Sequence, residues 1–199
     1  MQKHWNDFYN SRPIEKLGWF EKNFEISFRL LEKVKLKEAN VFLPGIGKSL
    51  FAKALAEKGS KLILNDVSPE ALNHILPELV SYGVDSYAGD VSKPLPKAWS
   101  FDLWFDRAVL HFLTQEEQIL GYFNNLKAAT HIGSFAAFAE FTHGGAKKCA
   151  TLPIRQYNLT DLQRYLGNQY QVVDSFPHTY LNPRGEERPY LYALFKRIS

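Results

Sequence analysis

The chain has 199 residues, of which 45% are hydrophobic and 23% are charged, values typical of one globular domain with a full hydrophobic core. Its net charge of +3 comes without a block of Lys or Arg, so we expect no strong nucleic-acid binding. The single cysteine excludes an intramolecular disulfide and a cysteine-based metal cluster, and we expect no metal site.

The N-terminal end shows no apolar core of a signal peptide, and no run in the chain reaches the ~20 apolar residues that cross a bilayer. We therefore expect a cytoplasmic protein without membrane contact, either a monomer or a weak dimer. Its partner would be a small-molecule or protein substrate.

Residues 1–36 predict a helical lid over the rest of the domain. Trp5 and Tyr9 lie at helical spacing in a first short helix, and residues 21–36 show the apolar stripe of a second helix. Trp19 lies between the two. These three rings either complete the core or cover a bound ligand and exclude water from it.

The stretch from Asn40 to Asp66 carries the main motif. A short apolar strand, residues 41–43, breaks on Pro44-Gly45-Ile46-Gly47, which we call the glycine turn. A helix and a second apolar strand, residues 62–64, follow and end at Asp66. This order of strand, glycine turn, helix, strand and acid predicts the first crossover of a doubly wound sheet, with Asp66 where a bound ribose would lie.

Several interpretations of the glycine turn differ in the ligand they predict. A phosphate loop for nucleoside triphosphates needs a glycine five positions before Gly47, where the chain has Phe42, so we reject it. A dinucleotide site needs a third glycine where the chain has Leu50, which argues against a nicotinamide-dependent oxidoreductase but leaves it open. A ligand with a ribose and no phosphate, such as S-adenosylmethionine, needs only close backbone approach and an acid for the ribose hydroxyls. A tight turn without a ligand, and a non-catalytic binding module on the same scaffold, also stay open.

Beyond Asp66, predicted helices and strands alternate. A helix is predicted over 69–82, with Ser68 as its N-cap and a bend at Pro77, and a second over 116–129, with Thr114 as its N-cap and Glu117 in the capping box. A third helix is predicted over 158–166. Strands are predicted over 84–88, 101–105, 134–141, 170–180 and 190–196. We therefore predict an α/β fold with a Rossmann-like, doubly wound, mostly parallel seven-stranded sheet in three αβα layers. A C-terminal antiparallel hairpin closes the sheet. The core of this single domain would span residues 39–199.

Acidic residues stand where three of the predicted strands end, at Asp66, Asp90 and Asp106. Since parallel strands present their carboxyl ends at one edge of the sheet, the three acids are expected to converge on one cleft. Asp102, by contrast, begins its strand and would lie at the opposite edge, where we expect a structural role.

With these motifs, nearly the whole chain resembles a class I S-adenosylmethionine-dependent methyltransferase. Val-Phe-Leu-Pro-Gly-Ile-Gly-Lys-Ser at 41–49 is similar to the turn of the thiopurine methyltransferase group. His4-Trp5, Tyr9 and the stretch Phe-Asp-Leu-Trp-Phe-Asp-Arg-Ala-Val-Leu-His-Phe-Leu at 101–113 resemble a group of small bacterial methyltransferases. That group is distantly similar to the seven-strand protein-lysine methyltransferases.

The resemblance implies a role for each matching position. At the glycine turn, the backbone of Pro44, Gly45 and Gly47 would approach the cofactor. Asp66 would bind the ribose, and Val67, Asp90 and Val91 would contact the adenine. Asp106 and Arg107 would lie at the methionine end and the substrate mouth, under a lid of Trp5, Tyr9 and Trp19. One position departs from the family: most members have an acid two residues before the first glycine, where this chain has Leu43. The thiopurine group also lacks that acid, so Asp106 or backbone carbonyls would hold the methionine amino group instead.

Methyl transfer from a sulfonium is an in-line displacement, to which a protein contributes chiefly positioning and desolvation. An amine acceptor must first lose a proton, and His111, which we expect in the loop over the cleft, is the candidate base. A loop histidine bonded to the backbone is the alternative. Glu140 and His143 are weaker candidates. Arg107 either attracts an acidic substrate or pairs with Asp106 or Asp90. The acceptor stays open between protein lysine and a small thiol or heteroaromatic molecule.

Overall fold

The computed structural model describes residues 1–21, 23–96 and 99–199. In these ranges the strands are β1 (Asn40–Leu43), β2 (Lys61–Asp66), β3 (Asp85–Ala88), β4 (Phe101–Arg107), β5 (Thr130–Phe141), β6 (Lys148–Cys149), β7 (Leu152–Pro153), β8 (Tyr170–Leu181) and β9 (Glu187–Arg197). Seven of them form one sheet in the order β3-β2-β1-β4-β5-β9-β8, and β6 pairs with β7 in a separate hairpin. Strands β1 to β5 pair in parallel, whereas β9 is antiparallel to both β5 and β8. The predicted sheet with its C-terminal antiparallel hairpin is confirmed.

Helices cover both faces of this sheet. They are α1 (Gln2–Asn10), α2 (Glu25–Leu30), α3 (Phe51–Glu57), α4 (Pro69–Ile75), α5 (Glu116–Ala128) and α6 (Leu159–Leu166). In β1, Val41 and Leu43 belong to the core shared with α2, α3 and α4, whereas Phe42 belongs to the core shared with α5 and α6. A parallel sheet that is buried on both faces needs apolar side chains in both directions, which explains the uninterrupted apolar run in β1. The three predicted layers are therefore present.

The predicted second helix over 21–36 is wrong in its extent, because α2 covers only Glu25–Leu30; residue 22 lies outside the described residues. The N–H of Val34 donates to the carbonyl of Leu31 at 2.9 Å, an i→i−3 bond that tightens the chain into turns. Leu31 and Val34 are nevertheless buried. The apolar pattern in residues 21–36 therefore indicated which side chains pack in the core, but it did not indicate how far the helix extends.

Smaller corrections concern helix ends and strand ends. Helix α5 takes Gln115 as its N-cap instead of Thr114, and the Gln118 side chain accepts from the Gln115 N–H at 3.4 Å, so Glu117 does not complete the capping box. At Pro77 the predicted bend takes the form of a change from α4 to a 3₁₀ helix, Leu76–Tyr82. Strands β5, β8 and β9 extend beyond their predicted limits, and the β6–β7 hairpin was not predicted.

The N-terminal helix α1 packs beside the start of α4. Trp5, Tyr9 and Leu17 form a third buried cluster with Ala71, the third residue of α4. This contact places the aromatic residues of α1 at the edge of the sheet where β1 and β2 end. Among the described helices, none is long and apolar enough to cross a membrane.

Candidate functional site

A cavity of about 1060 Å³, counting the space open to solvent at its mouth, lies where β1, β2 and β4 end. Most of the predicted cofactor residues line it, namely Trp5, Tyr9, Trp19, Pro44, Gly45, Asp66, Val67, Asp90 and Val91, and so does Arg107. Three predicted site residues do not line it: Gly47, Asp106 and His111.

The glycine turn presents backbone to this cavity. Gly45 and Gly47 have φ values of +51° and +57°, in the left-handed region that strains a residue with a Cβ. A Cβ on Gly45 would lie 2.5 Å from Val109 Cγ2, and a Cβ on Gly47 would overlap the hydroxyl of Tyr9. The absence of side chains at both positions therefore allows two neighbouring segments to approach the turn. Tyr9 covers Gly47, which explains why that glycine lies outside the cavity.

Asp66 ends β2 directly beside the glycine turn. Its Oδ2 accepts from the Gly47 N–H at 2.8 Å, and its Oδ1 accepts from the Ser68 N–H at 2.8 Å. The residue is only 3% exposed, and burial raises the pKa of its carboxyl to about 6, although these N–H donors act in the opposite direction. A carboxylate has about four lone-pair sites, so two N–H bonds leave positions free for further donors. Asp66 thus offers acceptors to hydroxyl groups in the cavity.

The second acid of the cavity, Asp90, follows β3. Its Oδ1 accepts from the Ser92 N–H at 2.9 Å and from the Ser92 hydroxyl at 2.7 Å. Asn65 of β2 donates from Nδ2 to the carbonyl of Gly89 at 2.9 Å and so ties the end of β3 to β2. The two neighbouring strands therefore present Asp66 and Asp90 to the same cavity.

Aromatic rings from the N-terminal segment cover the cavity on another side. The Trp5 ring stacks on Tyr9 with centroids 5.6 Å apart and lies edge-on to Phe112 at 4.9 Å and to Trp19 at 5.8 Å. Lys48, which follows the glycine turn, donates from Nζ to the Tyr9 carbonyl at 2.6 Å. The segment is therefore attached directly to the motif that it covers.

Arg107 attaches the same segment to the end of β4. Its Nε lies 3.1 Å from Glu21 Oε2, with both side chains 11% exposed, and its Nη1 donates to the Trp19 carbonyl at 3.1 Å. The guanidinium carbon lies 5.4 Å from the ring centroid of Tyr180 and 5.7 Å from that of Tyr190. Of the two roles considered for Arg107, the pairing with Asp106 or Asp90 is wrong, because its partner is Glu21. The attraction of an acidic substrate stays a prediction.

Part of the chain matches a known family model. Residues 43–128, from the end of β1 to the end of α5, match the family model described as a methyltransferase domain. This stretch of the chain therefore resembles a methyltransferase domain. No curated protein matches the chain.

Solved methyltransferase structures share the fold over almost the whole chain. An S-adenosylmethionine-dependent methyltransferase from Anabaena variabilis has a TM-score of 0.79 at 15% identity, with 98% of this chain and 93% of that one covered. The N-methyltransferase NodS from Bradyrhizobium japonicum, solved with S-adenosyl-L-homocysteine, has a TM-score of 0.73 at 16% identity, covering 98% and 100%. The 1,6-didemethyltoxoflavin-N1-methyltransferase from Burkholderia thailandensis has a TM-score of 0.71 at 18% identity, covering 100% and 84%.

Near the carboxyl end of β4, Asp106 and His111 are fully buried. His111 lies in a 3₁₀ helix, Leu110–Phe112, and its Nδ1 is 2.7 Å from Glu140 Oε2, so its predicted position in a loop over the cleft is wrong. Asp106 Oδ2 accepts from the Tyr122 hydroxyl at 2.7 Å. Because neither side chain lines the cavity, this geometry gives no support to His111 as a base or to Asp106 as the holder of a methionine amino group.

Two other predicted residues also lie away from the cavity. His143 pairs at the surface with Asp161, with Nε2 3.1 Å from Oδ2. Asp102 accepts from the Asn40 N–H at 2.8 Å at the opposite edge of the sheet, in agreement with its predicted structural role.

Sequence reasoning missed several residues of the cavity wall. Among them are Asn65, Val109, Phe112, Gln118 and Cys149, all of which line it. Asn65 left a signal, since it is a polar residue inside an otherwise apolar strand next to Asp66. No sequence signal pointed to Gln118 or Cys149, because α5 and the β6–β7 hairpin, which are remote in sequence from the glycine turn, bring them to the cavity.

Proposed function

We propose that this protein binds S-adenosylmethionine in the cavity at the ends of β1, β2 and β4 and transfers its methyl group to a small-molecule acceptor. One observation carries the proposal: the glycine turn, Asp66 and Asp90 border one cavity inside a methyltransferase domain. Two structures with this fold are N-methyltransferases, and one of them was solved with 1,6-didemethyltoxoflavin and S-adenosylhomocysteine bound. They support the choice of a small-molecule acceptor.

The residues of the cavity fit this cofactor. Gly45 leaves the wall free of a side chain at the turn, and the unused acceptor positions of Asp66 suit the two ribose hydroxyls. Val67 and Val91 offer apolar surface for an adenine ring, and Asp90 offers an acceptor for its amino group. Since Leu43 occupies the place of the usual acid, backbone carbonyls are left to hold the methionine amino group.

The bound cofactor would supply a methyl group on a positively charged sulfur, which a nucleophile displaces in line. The rings of Trp5, Trp19 and Phe112 would exclude water and so strengthen the electrostatic interactions inside the cavity. Apart from Asp66 and Asp90, the ionisable side chains among the described lining residues are Tyr9, Arg107 and Cys149. We therefore favour an acceptor that needs no general base, such as a thiolate or a heteroaromatic ring nitrogen.

Transfer from methyl-labelled S-adenosylmethionine tests the proposal. A cell lysate is separated by ultrafiltration into small-molecule and protein fractions, and each is incubated with wild type and with Asp66→Ala. We expect label in the small-molecule fraction with wild type only. Label on protein lysines would show that the acceptor is a protein. If neither fraction is labelled and wild type also fails to bind the cofactor, the proposed function is refuted.

Two alternatives make different predictions. A nicotinamide-dependent oxidoreductase would quench or enhance NADH fluorescence on binding, and a null titration disposes of it. A non-catalytic module would bind S-adenosylmethionine without transferring its methyl group to any fraction.

Residues 1–36 act in this proposal as a lid on a core formed by residues 39–199. The contacts of Lys48 and Arg107 with the N-terminal segment support that division. A cytoplasmic location and a monomeric or weakly dimeric state remain predictions, which cell fractionation and light scattering would test.

A further inference from the structure

The segment that follows β4 walls the cavity, and two buried carboxylates hold it from behind. The Val109 N–H lies 3.0 Å from Asp106 Oδ1 and 3.3 Å from Glu140 Oε1. The Leu110 N–H lies 3.1 Å from Asp106 Oδ2 and 3.2 Å from Glu140 Oε1. Ala108, just before them, has a φ of +66°, which a residue other than glycine rarely adopts. The hydrogen bonds to both acids therefore hold a turn that the backbone alone disfavours.

These two carboxyl groups need a proton between them. Asp106 and Glu140 are both fully buried, and both accept from the Val109 and Leu110 N–H groups at 3.3 Å or less. Two ionised carboxylates held on the same amides repel each other, so this arrangement favours a proton on one of the two. Burial raises the pKa of Glu140 to about 8. Burial and the neighbouring Glu140 raise the pKa of Asp106 well above its usual range. The pair therefore retains a proton at neutral pH and titrates as a unit.

Other ionisable groups face the pair from several elements. His111 lies against Glu140, with Nδ1 2.7 Å from Oε2, and the Tyr122 hydroxyl of α5 donates to Asp106 at 2.7 Å. Tyr157 and Tyr190 also lie near Glu140, and burial raises the pKa of both phenols, which keeps them neutral. Among the described residues, no group of three His, Cys, Asp or Glu side chains is placed to hold a metal ion.

Val109 connects the acid pair to the glycine turn. Its Cγ2 occupies the space beside Gly45, at 2.5 Å from where a Cβ on that glycine would lie. Its N–H is held by Asp106 and Glu140 on the other side. A displacement of Val109 would therefore change the cavity wall where the backbone must approach the cofactor.

We propose that Glu140 is a positioning residue, which shares a proton with Asp106, holds Val109 against Gly45 and thereby sets the shape of the cofactor cavity. At alkaline pH the shared proton is lost, and Asp106 and Glu140 then both carry a negative charge behind Val109. The two carboxylates repel each other, which displaces Val109 in the cavity wall and weakens ligand binding. The inference rests on the proposed function, since it takes S-adenosylhomocysteine as a ligand of this cavity.

Calorimetric titration with S-adenosylhomocysteine between about pH 7 and 9.5 tests the inference. The variant is Glu140→Gln, which keeps an oxygen acceptor for both amides and cannot ionise, and the control is Asp102→Asn, a carboxylate at the opposite edge. The ratio of dissociation constants, wild type over Glu140→Gln, should rise about tenfold over this range, because the variant lacks the titrating group. This ratio cancels the titration of the ligand's own amino group. Asp102→Asn should follow wild type, and a constant ratio for Glu140→Gln would overturn the inference.

A second readout needs no ligand. The amide resonances of Val109 and Leu110 should shift with one midpoint near pH 8 in wild type and stay constant in Glu140→Gln. If Glu140→Gln does not fold, Asp106→Asn removes the same shared proton and should abolish the same transition. Wild type that binds no S-adenosylhomocysteine at pH 7 would refute the proposed function, and the amide titration then decides the inference alone. Amides that do not titrate, or that titrate equally in the variant, would overturn it.

Discussion

Replacing Gly47 by alanine tests the contact between the N-terminal helix and the glycine turn. Gly47 has a φ of +57°, and a Cβ there would overlap the Tyr9 hydroxyl and lie 3.1 Å from its Cζ. Gly83 has a similar φ of +61°, and a Cβ there would meet nothing within 4 Å. The two glycines therefore separate the strain of the left-handed backbone from the displacement of Tyr9.

The expected losses differ by the cost of moving Tyr9. Left-handed backbone costs a residue with a Cβ roughly 1–2 kcal/mol, so Gly83→Ala should lower the free energy of unfolding by that amount. Gly47→Ala has the same strain and also displaces Tyr9 from the Trp5 ring, on which it stacks at 5.6 Å. Such aromatic pairs contribute about 0.5–1.5 kcal/mol, which brings the expected loss for Gly47→Ala to roughly 2–3 kcal/mol.

Urea unfolding of wild type, Gly47→Ala, Tyr9→Phe and the double variant measures the coupling. Phenylalanine lacks the hydroxyl that the new Cβ would overlap, so the double variant should be more stable than the sum of the single losses implies, by about 1 kcal/mol. Losses that add within roughly 0.5 kcal/mol would refute the contact between Tyr9 and the glycine turn. Equal losses in Gly47→Ala and Gly83→Ala would do the same.

Three further predictions concern charged groups. Glu140 keeps its proton up to about pH 8 in the folded protein but only up to about pH 4.5 in the unfolded chain. Between these two pH values the free energy of unfolding should therefore fall as the pH rises, by at most about 1.4 kcal/mol per pH unit. Urea unfolding across this range should show that slope in wild type and a smaller slope in Glu140→Gln. Asp66 has a pKa of about 6, so the affinity for S-adenosylhomocysteine should fall about tenfold per pH unit below that value in calorimetry, and Asp66→Asn should lack this dependence. Glu21→Ala leaves Arg107 buried without its partner and should lower the free energy of unfolding by about 3 kcal/mol, whereas Glu21→Gln should lower it by less. If the two variants lose the same free energy of unfolding, the charge of Glu21 has no role.

Local constraints explain why much of the fold and of the cofactor end was predictable. The alternation of Val41, Phe42 and Leu43 between two cores requires a strand that is apolar throughout, and such a run is visible in the sequence. Gly45 has a positive φ and a close neighbour, conditions that favour glycine, so the turn was visible as well. The position of Asp66 followed from the turn, because the crossover has a narrow range of lengths.

The acceptor end was not predictable in the same way. Asp66 and Asp106 both lie near the end of a strand, yet only Asp66 lines the cavity, since Asp106 accepts from two amides of its own segment and from Tyr122. The pairing of His111 with Glu140 joins residues from β5 and from the segment after β4, and no local pattern specifies it. The partner of Arg107 lies in the N-terminal segment for the same reason.

Binding of S-adenosylhomocysteine to wild type and to Asp66→Ala tests most directly the claim that this cavity holds the cofactor of a methyltransferase. Isothermal titration at pH 7.5, or about 1.5 pH units above the carboxyl pKa, keeps Asp66 ionised. We expect micromolar binding to wild type and a loss of about 100-fold in Asp66→Ala, since two hydrogen bonds to a charged acceptor contribute roughly 3 kcal/mol together. No binding to folded wild type, or equal binding by a folded Asp66→Ala, would contradict the claim.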